Sequence, residues 1–518
     1  MNVMQATSHD PWWSKRHSMR IAAPSRDRRS VRGRLARLGP WCAAVLLSAG
    51  GAGGAGCTAS SDEVHPDRNV LFYPSGLALS PDNKVLFVAN ANGELRFDSG
   101  AISVINVGRV QDAVIDWLTD RQYDGAAKCQ TDPDHSESLV CDEEFFMDVD
   151  AGVRIGNFAT DLAIQKFPSG AVRVFAPTRG DPSVAWADYA DGALHCGPSE
   201  TFGLCDDAHR LAQLQNNPDL DPIPDEPYGV FADGPNGFVA VTHLSLGGIS
   251  LIASADPGTR DNPSMAGPVR IVDVRAGFFT PDQVTGLAGT TGIAGRRPGA
   301  SPSVDGVGDV LYVGSQTDRR IQTFTVGTLP IDPAQDPRPI EASYIVPSNY
   351  FLLTDVGNQS GLSLDTRGMQ FSADGNQLFM VQRSPPSLQV YDTSLGSTGF
   401  PKNVGAGGID ICREASTLAV VDSTLGQRVY VTCFQDGQIY VIDPRHLDSP
   451  DDILLVGRGP YSVVASDPVA TDPAPNQHPH RFLFVSNFLE DTIAVVDIQP
   501  GSPTFDRVVL RIGTPRAP

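Results

Sequence analysis

The 518-residue chain is short of positive charge, of long apolar runs and of compact catalytic signatures. Lys and Arg number 39 against 60 Asp and Glu. The first 57 residues carry nine of those basic side chains with only Asp10 and Asp27, leaving 30 basic and 58 acidic residues beyond them. A surface of that sign repels phosphate backbones at long range, so nucleic acid is not an expected partner. The main apolar stretch, residues 41–55, is too short to persist as a bilayer-spanning helix, so no permanent span is expected. There is no Gly-x-Ser-x-Gly elbow, no His-Glu-x-x-His, no phosphate loop and no Cys-x-x-Cys-His haem site. Short motifs therefore call for no cofactor, and any catalysis would have to draw single residues from distant parts of the chain. No metal site is expected. Neither the acidic cluster at 142–150 nor that at 219–226 has the Asp/Asn/Gly/Glu spacing of a calcium loop. The pair His478 and His480 lacks further ligands nearby.

The basic stretch through Arg37 runs into the apolar, small-residue segment and stops at Cys57, the layout of an export signal. Gly54-Ala55-Gly56-Cys57 resembles a bacterial lipobox, with Gly54 where Leu is usual. The resemblance implies that Cys57 becomes the lipidated first residue of the mature protein; cleavage without lipidation is the alternative. Residues 1–57 are accordingly read as signal, 58–68 as tether and 69–518 as the folded domain. The expected location is the periplasm or the outer membrane, with the lipid as the sole membrane contact.

What the chain has in quantity is turns and short strands: 51 Gly, 41 Pro and 41% hydrophobic residues. The strands recur. The clearest unit is Pro74-Ser75-Gly76-Leu77-Ala78-Leu79, a Ser80-Pro81-Asp82-Asn83 turn, and strands at 85–90 and 101–106. Copies follow at 368–372, 377–382 and 387–392, and at 461–466, 481–487 and 492–497. Four weaker copies occupy 160–188, 228–252, 285–325 and 408–443, with first strands at 160–164, 228–232, 285–289 and 408–412. Segments 270–274, 452–456 and 507–512 suit an outer fourth strand, and 69–72 is placed to help close a ring. Most strands are apolar on both alternating faces, as expected of small sheets sandwiched between neighbours. The fold expected is all-β, a seven-bladed β-propeller with long loop insertions at 108–150, 190–226, 253–268 and 326–361.

The repeats resemble those of YVTN-type propellers, the family that includes YncE-like exported proteins, over most of residues 69–512. The residues that carry the likeness are Pro74-x-Gly76, Ser80-Pro81-Asp82, Leu86-Phe87-Val88-Ala89-Asn90 and Ile102-x-Val104-Ile105. Leu483-Phe484-Val485-Ser486-Asn487 and Ile493-Ala494-Val495-Val496-Asp497 echo them. Propellers host unrelated functions, so the resemblance specifies fold and leaves function open.

Ligands of propellers sit over the central channel, where inner strands converge. The position before the repeat glycine gives Ser75, Thr160, Tyr228, Thr285, Arg367, Gly407 and Tyr461. Such a ring suits a polar or anionic ligand, or else its members satisfy one another and trapped water. At the end of the second strand His243 breaks a column of mostly uncharged residues and is a candidate ligand or titrating group. The competing reading is a satisfied polar side chain. Cys129 with Cys141, and Cys196 with Cys205, are close neighbours in irregular segments and are expected as disulfides. Cys412 and Cys433 are left open. In the repeat register they stand about 13 Å apart, against the roughly 7 Å a disulfide tolerates. Function reads first as a non-catalytic binding or scaffolding module for a protein, glycan or small ligand. The rival is a propeller-type enzyme, a lactone hydrolase or quinoprotein-like dehydrogenase, with its site at the channel mouth.

Overall fold

The computed structural model describes residues 64–67, 69–120, 128–133, 135–197, 203–212, 222–259, 268–282, 286–296, 310–328, 343–353, 365–467 and 480–516. Residues 1–63, on which the expected signal, the Cys57 anchor and the start of the expected tether fall, and residue 68 lie outside them. Within the described residues the strands form seven sheets around a common axis: five have four antiparallel strands, that of blade 2 has a fifth short strand, Arg210–Ala212, paired with Ser183–Ala190, and that of blade 7 has six strands. The innermost strands of blades 1 to 7 are Pro74–Leu79, Ala163–Lys166, Pro227–Asp233, Thr290–Arg296, Thr366–Phe371, Ala415–Ser423 and Pro460–Ala465. Each packs beside the next, and the seventh returns to the first, so the ring is closed. The expected all-β propeller of seven blades is what the chain forms.

Burial explains the sequence pattern. Val85–Asn90 and Phe482–Asn487, second strands of blades 1 and 7, are buried at every position. Their two side-chain rows face two neighbouring blades, and each row joins a different apolar cluster. Sheet-on-sheet burial of this kind is the main favourable term available to the fold.

The repeat glycine has a steric cause. Inner strands share a bulge at their start: Pro74 pairs with Asn90 and Leu77 with Val88, and the same slip recurs at Pro227, Thr290, Thr366, Ala415 and Pro460. At that bulge the next blade's backbone comes close. A Cβ on Gly76 would lie 2.7 Å from the Asp161 carbonyl carbon, on Gly229 2.5 Å from the Thr291 oxygen, and on Gly292 2.4 Å from the Arg367 oxygen. Glycine is retained where neighbouring backbones touch.

This register corrects two assignments. Blade 4 begins at Thr290, not at 285–289: the glycine at the bulge is Gly292, and Gly286 lies in the loop before it. Blade 6 begins at Ala415, whereas 408–410 belong to Val404–Asp410, the outermost strand of blade 5. Blade 6 carries Thr417 where blades 1, 3, 4 and 5 carry glycine, so a search for glycine slides back onto Gly408. The expected fourth strands appear as Val269–Arg275, Asp452–Leu455 and Arg507–Ile512. Residues 69–72 are not a strand; they lead into blade 1, with the Tyr73 amide donating to Asp491 Oδ1 at 2.7 Å.

The insertion expected as a loop at 108–150, between the third and fourth strands of blade 1, carries structure of its own. It opens with helix α1, Val107–Asp120, and continues as the hairpin Cys129–Thr131 and Leu139–Cys141. Leu139–Cys141 pairs in parallel with Arg507–Ile512, the outermost strand of blade 7, making that sheet six-stranded. Val110, Val114 and Trp117 of α1 bury in one cluster with Leu86 and Val88 of blade 1 and Phe482, Phe484 and Val495 of blade 7. An insertion from the first blade therefore straps the last.

Three disulfides are present: Cys129–Cys141, Cys196–Cys205 and Cys412–Cys433, with Cα separations of 4.0, 4.9 and 5.6 Å. The third resolves the open pair. Cys412 lies in the connection ahead of blade 6 rather than at the end of its inner strand, and Ala415 is the partner of Cys433.

If the strap closes the ring, Trp117→Ala should cost about 3–5 kcal/mol in denaturant unfolding, although Trp117 belongs to no blade. A loss near zero would show that the seam holds without it.

Candidate functional site

The bulges place one residue of each blade at the same end of the channel, beside the turns joining second and third strands. These are Ser75, Thr160, Tyr228, Thr291, Arg367, Ser416 and Tyr461. Five match the sequence expectation. Thr285 lies outside the described residues, and the register gives its place to Thr291; Ser416 takes the place assigned to Gly407. An inner strand pairs on one edge only, and its other edge is turned to the channel, so backbone groups there need other partners.

Hydroxyl groups supply many of them by reaching into the next blade. Ser75 Oγ donates to the Ala159 carbonyl at 2.8 Å, Thr160 Oγ1 to that of Tyr228 at 2.6 Å, and Thr291 Oγ1 to that of Thr366. Thr242 Oγ1 accepts from the Gly229 amide and donates to the Thr291 carbonyl. Thr432 repeats this between Thr417 and Tyr461. Ser462 Oγ accepts from the Leu77 amide across the seam. The small ring residues Ser75, Thr160 and Thr291 are therefore committed to joining blades.

The large ring residues are arranged differently. The Tyr228 and Tyr461 hydroxyls meet at 3.1 Å, and Arg367 Nη1 donates to Tyr228 at 2.5 Å. Blades 3, 5 and 7 thus bridge the bore at one level. Arg367 Nε stands 2.6 Å from Asp365 Oδ1. Burial works against the Arg367 charge, but Tyr228, Asp365 and Tyr461 more than restore it. Burial raises the Tyr461 pKa well above the usual phenol value, Tyr228 adding to the effect and Arg367 and Arg383 opposing it, so the hydroxyl stays protonated.

Two residues near this bar were not legible as site residues. Asp161, at the glycine position of blade 2, accepts from the Leu162 amide at Oδ1 and the Val230 amide at Oδ2. Desolvation raises its pKa to about 7 against those two bonds. Arg383, at the end of the second strand of blade 5, donates from Nε to the Ala415 carbonyl at 2.9 Å and from Nη2 to Ser416 Oγ at 3.0 Å. Beside Tyr461 lie Phe434 and Phe488, half-buried, with ring centroids 6.3 and 6.0 Å from the tyrosine.

His243 is not on the channel bar. It is fully buried inside blade 3, its Nε2 2.8 Å from Ser250 Oγ. Burial pushes its pKa down to about 4, against the pull of the Asp225 and Pro224 carbonyls, so the ring is neutral at physiological pH. Among the described residues no three His, Cys, Asp or Glu side chains cluster as metal ligands.

No protein-family model matches the sequence, and no curated protein matches it. Solved structures of similar fold include hydrazine synthase of Kuenenia stuttgartiensis, at 12% identity over 86% of this chain and 99% of that one, with a TM-score of 0.47. The periplasmic gluconolactonase of Pseudomonas aeruginosa is similar at 16% identity over 75% and 87%, TM-score 0.45. The Cps50 (Swd1) β-propeller domain of Myceliophteria thermophila is similar at 11% over 84% and 98%, TM-score 0.41. At such values the likeness carries no activity over to this chain.

Asp161 generates a pH prediction. Its folded pKa of about 7 lies above its ordinary value of 3.8. The associated stability is therefore complete below about pH 4 and is lost as pH rises to 7, by at most about 1.4 kcal/mol per pH unit. Asp161→Asn should flatten the melting temperature across that window. A profile unchanged from wild type would refute the assignment.

Proposed function

We propose that the chain is an exported, lipid-anchored propeller with YVTN-type repeats, acting as a non-catalytic binding module whose loop-rich face and channel mouth receive the ligand. The observation that carries this reading is the meeting of Tyr228, Arg367 and Tyr461 from three separate blades. Hydroxyl and guanidinium donors held at one point by a rigid scaffold are suited to recognition of a polar group. A small ligand is favoured over a protein or glycan because these donors converge at the channel mouth rather than spreading over an open surface. Export is supported by the pairing of all six cysteines beyond Cys57, since disulfides persist in oxidising compartments. The anchor rests on Cys57 at the end of the apolar segment, and the location that follows is the periplasmic or outer-membrane side of the envelope.

A second reading, a propeller-type enzyme, draws support from Asp161, a carboxyl group at the opening of blade 2 whose pKa burial raises to about 7. Both its oxygens are held by backbone amides, which favours a structural role.

Native mass spectrometry of protein purified from its own envelope, with metal analysis of the same sample, tests the proposal. The expected result is a chain beginning at Cys57 with added acyl mass and a non-covalent adduct lost in Arg367→Gln. A mature chain without lipid would sink the anchor. A stoichiometric metal, or release of a chemically altered ligand on incubation, would sink the non-catalytic reading.

A further inference from the structure

We infer that the channel rim formed by blades 5 to 7 binds a small organic anion with a flat apolar ring, Arg383 facing its charge and Phe434 and Phe488 its ring. The inference rests on the binding reading of the mouth and names the ligand class.

The two cations near the bar are not equivalent. Arg367 has Asp365 as counter-charge. Arg383 bonds only a carbonyl and a hydroxyl, and among the described residues no carboxylate lies within ion-pair distance of it. Neutral dipoles orient a guanidinium but leave its charge uncompensated, which is costly where solvent is partly excluded. Shortage of acid is not the cause, because the chain holds 60 carboxylates against 39 basic residues. Arg367 reaches Tyr228, whose hydroxyl meets that of Tyr461, and Arg383 holds Ser416 beside Thr417, whose hydroxyl donates to the Tyr461 carbonyl, so both cations of blade 5 connect to Tyr461, through blade 3 and through blade 6. With Nε and Nη2 of Arg383 committed, Nη1 bonds no described residue and is left to meet a ligand carboxylate.

Close to this charge stands an aromatic wall, the Phe434 amide donating to the Glu414 carbonyl at 3.3 Å, one residue before the Ala415 carbonyl that Arg383 holds. Phe434 follows the second strand of blade 6 and Phe488 that of blade 7, their centroids 6.2 Å apart, with Tyr73 5.2 Å beyond Phe488. Both phenylalanines remain half-buried at the rim. An aromatic face beside an unbalanced guanidinium favours a ligand with both an apolar ring and a carboxylate over one with either alone.

Isothermal titration of the intact folded chain with benzoate, acetate and benzyl alcohol separates the two components. Benzoate is expected to bind saturably and at least about tenfold more tightly than either of the others. Arg383→Gln should weaken benzoate about tenfold or more while leaving benzyl alcohol unchanged, and Arg383→Lys should restore part of the loss. Lys84→Gln, at an exposed turn on the other face, should change nothing. Benzyl alcohol binding as tightly as benzoate would overturn the anion component, and acetate binding as tightly would overturn the ring component. No benzoate binding by the wild-type chain would overturn the inference outright. Persistence of the native adduct in that last case would show that the mouth binds something else, so the two readings fail separately.

Discussion

The structure depends on one constraint: a four-stranded sheet with two apolar faces cannot hide both by itself. Seven such sheets arranged radially bury each other, and burial becomes complete only when the last meets the first. The closeness this requires is greatest near the axis, where backbones of adjacent inner strands touch at the bulges. Gly76, Gly229, Gly292 and Gly368 permit the approach. Serine and threonine hydroxyls at the same level then satisfy the carbonyls that the approach leaves beside the channel. Packing between blades and polar satisfaction within the bore are thus settled by the same few residues.

Closure falls on the seam between blades 7 and 1. The strap from blade 1 adds strands to the outer edge of blade 7, while near the axis Ser462 reaches the Leu77 amide. At the rim the Tyr73 ring lies between Arg96 and Arg516, both of which pair with Asp491. Behind that rim buried Arg511 of blade 7 stands 4.0 Å from Asp132 of the strap. The seam is therefore held at inner, outer and upper levels, by contacts between residues hundreds of positions apart.

Fold and blade count were legible because the strands are apolar on both faces and recur with a fixed turn, as in Leu86-Phe87-Val88-Ala89-Asn90 and Leu483-Phe484-Val485-Ser486-Asn487. The register failed where an earlier glycine, Gly286 or Gly408, was taken for the bulge residue, which is Gly292 in blade 4 and Thr417 in blade 6. The ring residues Ser75, Thr160, Tyr228, Arg367 and Tyr461 could be read because each stands beside the bulge position. The pairing of Tyr228 with Tyr461 could not, since nothing local relates residues on opposite sides of a ring. Arg383 was hidden for a related reason: it acts at the start of blade 6, whose inner strand the glycine pattern had misplaced. The strap escaped notice because its partner strand lies at the other end of the chain.

The chain enters the ring at Tyr73 and leaves it at Arg516, and the two residues touch through the Arg516 guanidinium and the Tyr73 hydroxyl. Tension applied to either terminal segment is therefore delivered to the join between first and last blades. The pull would act along β-strand ladders and a guanidinium–phenol stack, and the other six junctions would be spared until that join slipped. Mechanical strength in this molecule is set locally, by how well a handful of rim residues hold one junction under shear.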